Sequence, residues 1–332
     1  MAGIMRLLFA GTPVTAMSSL TALLDSRHEV VAVLTRPDAP AGRGRRLTPS
    51  PIAALALDHG LPVLKPATLK DAAVRDQIAE LGADCAPVVA YGNLIPRPVL
   101  DLMPRGWVNL HFSLLPAWRG AAPVQRAVLS GADQTGLTTF LLDEGMDTGP
   151  VLMQEAAVIS ATETSGELQH RLAVQGADLL VRTLDAWEDG VLTPQPQAEH
   201  GASHAAKLSV DQARLDARRP ASEVSAHLRG MAPDPGAWAS WRDGRVKLLG
   251  ISEAPVPAGL QLEPGQLQVT KRAVFLGTGT APVPLGIVAA AGKRPMPATD
   301  WARGAHIQPT ERLGLADDQA VQNHTPTNGA SA

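Results

Sequence analysis

Residues 5–34, MRLLFAGTPVTAMSSLTALLDSRHEVVAVL, decide the fold of the first half of this chain. Two mainly apolar runs, residues 5–10 and 29–35, predict buried strands, and residues 16–24 between them have helical periodicity. A strand, a helix and a second strand in this order are typical of a parallel sheet. The turn Gly11-Thr12-Pro13 lacks the Gly-x-Gly-x-x-Gly spacing, and Pro13 has no N–H, so we do not interpret it as a nucleotide cradle.

The same alternation continues further along the chain. It predicts helices at residues 51–59 and 72–81, and strands at residues 62–64, 85–90 and 107–112. We therefore predict an α/β fold with a Rossmann-like, mostly parallel sheet and helices on both faces. In such sheets ligands bind beyond the carboxyl ends of the strands, where residues 109–112 are expected to lie.

Composition changes after residue 190. Residues 190–206 are rich in Pro, Gln, Gly and Ala without periodicity, which predicts a linker after a catalytic domain at residues 1–189. Short apolar runs separated by turn residues then predict a smaller C-terminal β-barrel of OB-like type at residues 207–314. Residues 315–332 are polar and featureless, so a disordered tail is expected.

The net charge of −3 is unevenly divided along the chain. Residues 1–206 carry −6 and residues 207–312 carry +5, which favours a polyanionic partner for the second half but also fits an ordinary solvated surface. The chain contains a single cysteine, Cys85, so neither an intramolecular disulfide nor a cysteine metal cluster is expected. The first apolar run is too short for a membrane span and lacks a secretory lead. These features predict a cytoplasmic protein.

One short motif carries the chemistry of acyl transfer to an amine. Asn109 and His111 share one face of a predicted strand, and Asp147 follows in a Gly-rich loop. An amide can donate to a developing oxyanion, an imidazole can carry a proton near neutral pH, and a carboxylate can orient the imidazole and raise its pKa. Considered alone, an Asn-x-His pair is more often structural than catalytic.

The motif Asn109-x-His111-x-Ser113-Leu114-Leu115-Pro116, followed by Asp147-Thr148-Gly149, resembles the signature of folate-dependent formyltransferases. Further resemblance lies at residues 9–13, 36–51, 116–123 and 292–296. The resemblance implies that Asn109, His111 and Asp147 are catalytic and that 10-formyltetrahydrofolate is the co-substrate, without a metal. It also implies a set of folate-site residues, namely Ser113, Leu114, Leu115, Pro116, Tyr91, Gly92 and Asp143.

A loop of alternating cations and small residues surrounds Arg43. Arginines in such a loop can bind phosphates and stack on unpaired bases. The closest resemblance within the family is to the enzymes that formylate methionine on initiator tRNA, which use this loop at the acceptor end. The resemblance therefore implies that the partner is initiator Met-tRNA, in translation initiation. The candidate tRNA-binding residues are Arg36, Arg43, Arg45, Arg46, Lys207, Lys293 and Arg294. We expect a monomer that acts without a membrane.

Three alternatives remain open from the sequence. A formyltransferase for a nucleotide-linked amino sugar or another small amine would keep the Asn109, His111 and Asp147 set without needing the basic loop. A formyltetrahydrofolate hydrolase would leave the basic second half unexplained. A non-enzymatic RNA-binding protein would explain the basic loop but give no role to the three polar residues together. Arg119 fits either a substrate anchor or a partner of a carboxylate.

Overall fold

The computed structural model describes residues 3–41, 46–309 and 311–314. Up to residue 190 most strands are followed by a helix, and the elements run in the order given next. They are β1 (Arg6–Gly11), α1 (Met17–Leu24), β2 (Glu29–Leu34), β3 (Ala39–Ala41), β4 (Arg46–Thr48), α2 (Pro51–Asp58), β5 (Val63–Leu64), α3 (Ala72–Glu80), β6 (Ala86–Val89), α4 (Arg97–Leu100), β7 (Trp107–His111), α5 (Pro123–Leu129), β8 (Gln134–Leu141), β9 (Val151–Val158) and α6 (Ser165–Glu188).

Seven of these strands form one sheet in the order β5-β2-β1-β6-β7-β8-β9. The five strands from β5 to β7 are parallel, and β8 and β9 extend the sheet in antiparallel pairing. β1 and β6 are almost wholly buried, as their continuous apolar runs predict for strands covered on both faces. The chain leaves β1 toward β2 on one side and returns as β6 on the other. Such a reversal places a crevice at the carboxyl ends of these strands.

Pro87 lies in a central strand, although the lack of an N–H favours an edge position for proline. β6 is flanked by β1 and β7, with Val88 opposite both Ala10 and Asn109. The N–H of Ala86 donates to Gly106 ahead of β7, so the missing donor at Pro87 faces β1, where the paired register covers two residues. Because β6 and β7 are adjacent and parallel, the segments that follow them begin at the same edge of the sheet.

The basic loop is carried by a small hairpin. β3 and β4 pair antiparallel, with Ala39 opposite Thr48 and Pro40 opposite Leu47. Arg46 is exposed at the start of β4. Arg43 and Arg45, both predicted to bind RNA, lie outside the described residues.

The chain forms two compact units. The first contains the described residues up to 124, together with residues 134–158 and 167–207. The second contains residues 125–133 and 159–166 and the described residues from 208 onward. Two short segments from the first half of the chain thus belong to the second unit, which composition does not indicate. The predicted tail at residues 315–332 lies outside the described residues.

The second unit is built around an antiparallel sheet. Its elements are α7 (Ala221–Gly230), β10 (Ala237–Trp241), β11 (Gly244–Ile251), β12 (Leu267–Val269), β13 (Val274–Leu276), β14 (Val283–Ala290), β15 (Met296–Pro297) and α8 (Ala298–Ala305). The strand order is β10-β11-β14-β13-β12, with β15 also on β14. Val224, Leu228 and Trp301 on the two helices join the buried core of this sheet. The predicted fold class, a mostly parallel Rossmann-like sheet followed by a smaller β unit, is confirmed.

Within the described part of the chain, no helix combines the length and the apolar character needed to cross a lipid bilayer.

Candidate active site

Asn109 and His111 lie at the carboxyl end of β7, as the motif predicts. Asn109 is opposite Phe140 and His111 is opposite Thr138 in the antiparallel pairing with β8. Because successive side chains on a strand alternate between faces, Asn109 and His111 project to the same side. Asn109 is half-buried, whereas His111 is 5% exposed and meets the ring of Phe140 edge-on. The amide is therefore the more accessible of the two groups.

Both ring nitrogens of His111 are directed at oxygen atoms. Nε2 lies 2.9 Å from the carbonyl oxygen of Trp118, and Nδ1 lies 3.7 Å from Oδ2 of Asp147. A carbonyl oxygen only accepts hydrogen bonds, so Nε2 carries the proton of the neutral ring. This tautomer leaves the lone pair of Nδ1 facing Asp147.

Burial determines the charge of the imidazole. Desolvation lowers the pKa of His111 below its ordinary value, while the carboxylate of Asp147 and the hydrogen bond to Trp118 act in the opposite direction. The upward effect of Asp147 on the His111 pKa is present as predicted, but desolvation outweighs it. His111 is consequently neutral at neutral pH and can accept a proton at Nδ1, where Asp147 would stabilise the resulting imidazolium.

Asp147 occupies a left-handed backbone conformation with φ of +54°. Such a conformation costs a non-glycine residue roughly 1–2 kcal/mol, so the surrounding contacts must hold it. The backbone N–H of Gly120 donates to Oδ2 of Asp147 at 2.7 Å. Asp143 closes the same loop, because its carboxylate accepts from Gly145 N–H and from the Thr148 hydroxyl. Asp143 therefore shapes this loop, while its predicted contact with folate stays a prediction.

Residues 113–117 form a tightly bonded loop after β7. The Ser113 hydroxyl donates to the Ala117 carbonyl at 2.6 Å. Thr138 on β8 donates to the Ser113 carbonyl at 2.7 Å and accepts from Leu115 N–H at 3.1 Å. Gln154 on β9 donates to the Leu115 carbonyl at 2.7 Å. Two neighbouring antiparallel strands thus set the shape of the predicted folate segment.

A further segment lies along the site, which we call the site strap and define as residues 195–205. At its start, Gln195 exchanges backbone hydrogen bonds with Val151. Near its end, Ser203 Oγ accepts from Trp118 N–H at 2.9 Å, and Arg119 exchanges backbone hydrogen bonds with Ser203 and Ala205. The start of the site strap is therefore bonded to β9, and its end is bonded to the loop that follows β7.

Within the site strap, the side chain of Gln197 accepts two hydrogen bonds from the Arg119 guanidinium. It also donates to the carbonyls of Asp147 and Gly149, each at 2.8 Å. Gln197 cannot be identified from the sequence, because a glutamine in a Pro- and Gln-rich segment has no distinguishing pattern. The Arg119 guanidinium is bonded to this neutral amide, and its interpretation as a substrate anchor stays a prediction.

Two family models match the chain. "Formyl transferase" matches residues 5–184, and "Formyl transferase, C-terminal domain" matches residues 207–306. A methionyl-tRNA formyltransferase from Thermobifida fusca is 54% identical over 310 residues, covering 93% of this chain and 99% of that protein. One from Streptomyces coelicolor is 52% identical over 311 residues, covering 93% and 100%. The chain belongs to the methionyl-tRNA formyltransferase family.

A solved structure with the same fold is the N-formyltransferase from Helicobacter canadensis in complex with folinic acid and dTDP-3-aminofucose. It has a TM-score of 0.64 and 15% identity, covering 85% of this chain and 98% of that chain. At this identity the likeness shows that the two chains share a fold and shows nothing about the acceptor.

In this member of the methionyl-tRNA formyltransferase family, the residues predicted to bind folate are mostly buried or half-buried, and those predicted to bind tRNA are exposed where the structure describes them. Ser113 and Leu115 are buried, Leu114 and Pro116 are half-buried, and Tyr91 is 2% exposed. Gly92 is exposed with φ of +82°, and the Arg36 side chain runs beside it. The cations predicted to contact tRNA that the structure describes are all exposed, namely Arg36, Arg46, Lys207, Lys293 and Arg294.

Cys85 is fully buried, and burial raises the pKa of its thiol to about 12. A thiol in this state is not a nucleophile at neutral pH. Among residues 3–41, 46–309 and 311–314, no group of three or more His, Cys, Asp and Glu side chains is placed to hold a metal ion.

Proposed function

We propose that this protein transfers the formyl group of 10-formyltetrahydrofolate to the amino group of methionine on initiator tRNA, for translation initiation. The observation that carries the proposal is the identity of 50–54% to methionyl-tRNA formyltransferases across 93–94% of the chain. That similarity includes the second unit, which a small acceptor would not require. A nucleotide-linked amino sugar is a weaker alternative, because the relevant solved structure is only 15% identical.

The residues at the ligand-binding edge fit a folate. A pterin combines an apolar ring with a polar rim and therefore needs nearby donors and acceptors within an apolar wall. The Tyr91 hydroxyl and the Asn93 amide nitrogen are buried near each other, and neither atom has a hydrogen bond of good geometry among the described residues. Leu94 is exposed beside them, and the loop of residues 113–117 follows the adjacent strand. When bound, 10-formyltetrahydrofolate would supply the formyl group.

His111 would act as the base. The α-amino group of an aminoacyl ester is a weak base, with a reference pKa of about 7.7–8.0 for an α-amino group. As the amine attacks, its proton would pass to Nδ1 of His111, the nitrogen whose lone pair is free in the neutral ring. Asp147, 3.7 Å from Nδ1, would stabilise the imidazolium. His111 would then return the proton to the nitrogen of tetrahydrofolate that leaves the formyl carbon.

Asn109 would stabilise the oxygen that gains negative charge during the attack. Its amide is half-buried and projects to the same side of β7 as the imidazole. A hydrogen-bond donor held at a developing oxyanion in a site that partly excludes water lowers the activation free energy by about 2.7–4 kcal/mol in related acyl-transfer reactions. Holding both substrates against one rigid strand would add the advantage of orientation.

The exposed cations would bind the tRNA. We propose that Arg36, Arg43, Arg45 and Arg46 contact the acceptor end and that Lys207, Lys293 and Arg294 contact phosphates elsewhere. The exposure of the described members of this set supports the role, because phosphate binding releases counterions from accessible charges. We also propose that the protein acts as a cytoplasmic monomer, and the single buried Cys85 fits a reducing compartment.

The experiment measures formyl transfer from 10-formyltetrahydrofolate to Met-charged initiator tRNA beside elongator Met-tRNA. We expect robust transfer to the initiator, abolished in His111→Ala and weakened in Arg43→Ala. Circular dichroism of each variant checks that it is folded. Absence of transfer to either Met-tRNA by the folded wild-type protein would overturn the proposal and direct the search to amino sugars and other small amines.

A further inference from the structure

The side-chain amide of Gln197 makes four hydrogen bonds, two at its oxygen and two at its nitrogen. Its oxygen accepts from Nε of Arg119 at 3.0 Å and from Nη2 at 2.6 Å. Its nitrogen donates to the carbonyls of Asp147 and Gly149. A guanidinium only donates and a carbonyl only accepts, so the amide can adopt one orientation. Glutamate would lose both donors, and a hydrocarbon side chain would lose all four contacts.

These contacts join two segments that are distant in the chain. Asp147 is 50 residues from Gln197, and Arg119 is 78 residues away. Arg119 immediately precedes Gly120, whose N–H donates to the Asp147 carboxylate. Gln197 therefore bonds to the backbone of Asp147, which supplies the carboxylate. It also bonds to Arg119, the neighbour of Gly120, whose N–H orients that carboxylate.

The backbone around Gly120 is closely packed and requires glycine. Gly120 has φ of +117°, and a Cβ atom there would lie 3.0 Å from the Ala205 carbonyl oxygen at the end of the site strap. Asp147 also has a positive φ. The Gly120–Asp147 hydrogen bond thus joins a backbone conformation that requires glycine to a strained conformation at Asp147, and the Gln197 amide connects the two segments. Loss of this connection would allow the carboxylate to move away from Nδ1 of His111.

We propose that Gln197 is a positioning residue for formyl transfer, which holds the Asp147 carboxylate opposite His111 by connecting the Arg119–Gly120 and Asp147–Gly149 segments. The expected effect on kcat rests on the proposed function. The expected position of the Asp147 carboxylate opposite His111 does not depend on that function. Gln197 acts through Asp147, so its replacement should alter the chemical step more than the binding of Met-tRNA.

Two variants test the role of the amide. Gln197→Met keeps length and neutrality while removing all four hydrogen bonds, and Gln197→Glu keeps the acceptor while removing both donors. Gln195→Met and Gln195→Glu are matched controls in the same strap. The Gln195 side chain is exposed and donates to the Thr193 carbonyl, away from the site.

We expect both Gln197 variants to lower kcat tenfold or more, with KM for Met-tRNA within twofold of wild type. Both Gln195 variants should retain wild-type kcat. An NMR titration of His111 in the protein without substrates provides a second readout. Asp147 raises the pKa of His111, so a carboxylate released by Gln197→Met should leave that pKa lower than in wild type.

Wild-type kcat in both folded Gln197 variants, or an unchanged His111 titration in Gln197→Met, would overturn the inference. A loss of activity that disappears at lower temperature would also overturn it, because Gln197 would then only stabilise the fold. If the wild-type protein transfers no formyl group to Met-tRNA, the proposed function fails, and the titration still decides whether Gln197 positions Asp147.

Discussion

One carboxylate oxygen of Asp147 serves two partners. Oδ2 lies 3.7 Å from Nδ1 of His111 and accepts a 2.7 Å hydrogen bond from the Gly120 N–H. The second contact directs the carboxylate toward the imidazole, whose other nitrogen is bound to the Trp118 carbonyl. His111 is thus held between a fixed acceptor and a negative charge, while burial keeps it neutral. This arrangement suits a base that accepts a proton at Nδ1.

Replacing His111 with Asn should lower kcat for formyl transfer on the order of 10²–10⁴-fold, the usual contribution of a positioned general acid or base. Asparagine can still donate to the Trp118 carbonyl but cannot accept a proton at neutral pH. Steady-state kinetics with Met-tRNA measure the effect. His59→Asn, at an exposed position, is the control and should retain activity. Full activity in His111→Asn would exclude proton transfer by this ring.

The pH dependence of kcat should show an acidic limb with its midpoint below about 6.5, the ordinary pKa of histidine. Burial lowers the pKa of His111, so the neutral base persists to lower pH than in an exposed histidine. In Asp147→Asn the midpoint should move lower still, because the carboxylate that raises this pKa is removed. A midpoint that moves upward in Asp147→Asn would contradict the assignment.

Thr138→Val should destabilise the first unit by about 1–3 kcal/mol, the cost of leaving a buried polar group unpaired. The hydroxyl pairs with both the Leu115 N–H and the Ser113 carbonyl. Thermal melts measure the loss, and KM for 10-formyltetrahydrofolate should rise if residues 113–116 line its site.

Thr135→Val is the matched control on the same strand. The Thr135 hydroxyl is buried without a hydrogen-bond partner among the described residues, so valine should be neutral or stabilising there. Equal melting temperatures for the Thr138 and Thr135 variants would show that the loop does not depend on Thr138.

Arg46→Ala should weaken the binding of Met-tRNA and reduce the slope of log affinity against log salt by about one, as expected for one lost phosphate contact. Arg46 is exposed at the start of β4, beside the basic loop. Filter binding at several salt concentrations measures both quantities. Arg75→Ala on α3 removes an exposed arginine far from this loop in sequence, and its salt slope should match wild type. Identical slopes for both variants would remove Arg46 from the RNA-binding set.

The free energy of unfolding should fall as pH decreases from about 7 to about 5. Burial lowers the pKa values of His28, His111 and His227. Below the ordinary value of about 6.5, the unfolded chain therefore binds protons that the folded protein does not, which favours unfolding. Denaturant titrations at constant ionic strength measure the slope. His227→Gln should make it shallower, because glutamine can bond the Ala213 carbonyl without titrating.

Much of the fold follows from local pattern alone. The apolar runs of β1 and β2 and the helical period of α1 lie close to where the sequence predicts them, because burial on both faces requires continuous apolar residues. The shared face of Asn109 and His111 also follows from their spacing, since side chains on a strand alternate. In the second unit, α7 and α8 were not predicted, because their apolar positions are few and acquire a partner only when the sheet forms.

The sequence by itself determined which chemical groups are present, on which strand two of them lie, and to which family they belong. Only the tertiary structure decided that Asp147 meets Nδ1 of His111, that Nε2 is held by a backbone carbonyl, and that burial outweighs the carboxylate in setting the pKa. It also decided that Gln197 lies between the two loops. The physical reason is the separation in sequence of the residues involved. Periodicity reflects interactions between residues a few positions apart, whereas these contacts join distant segments that meet only when the sheet folds.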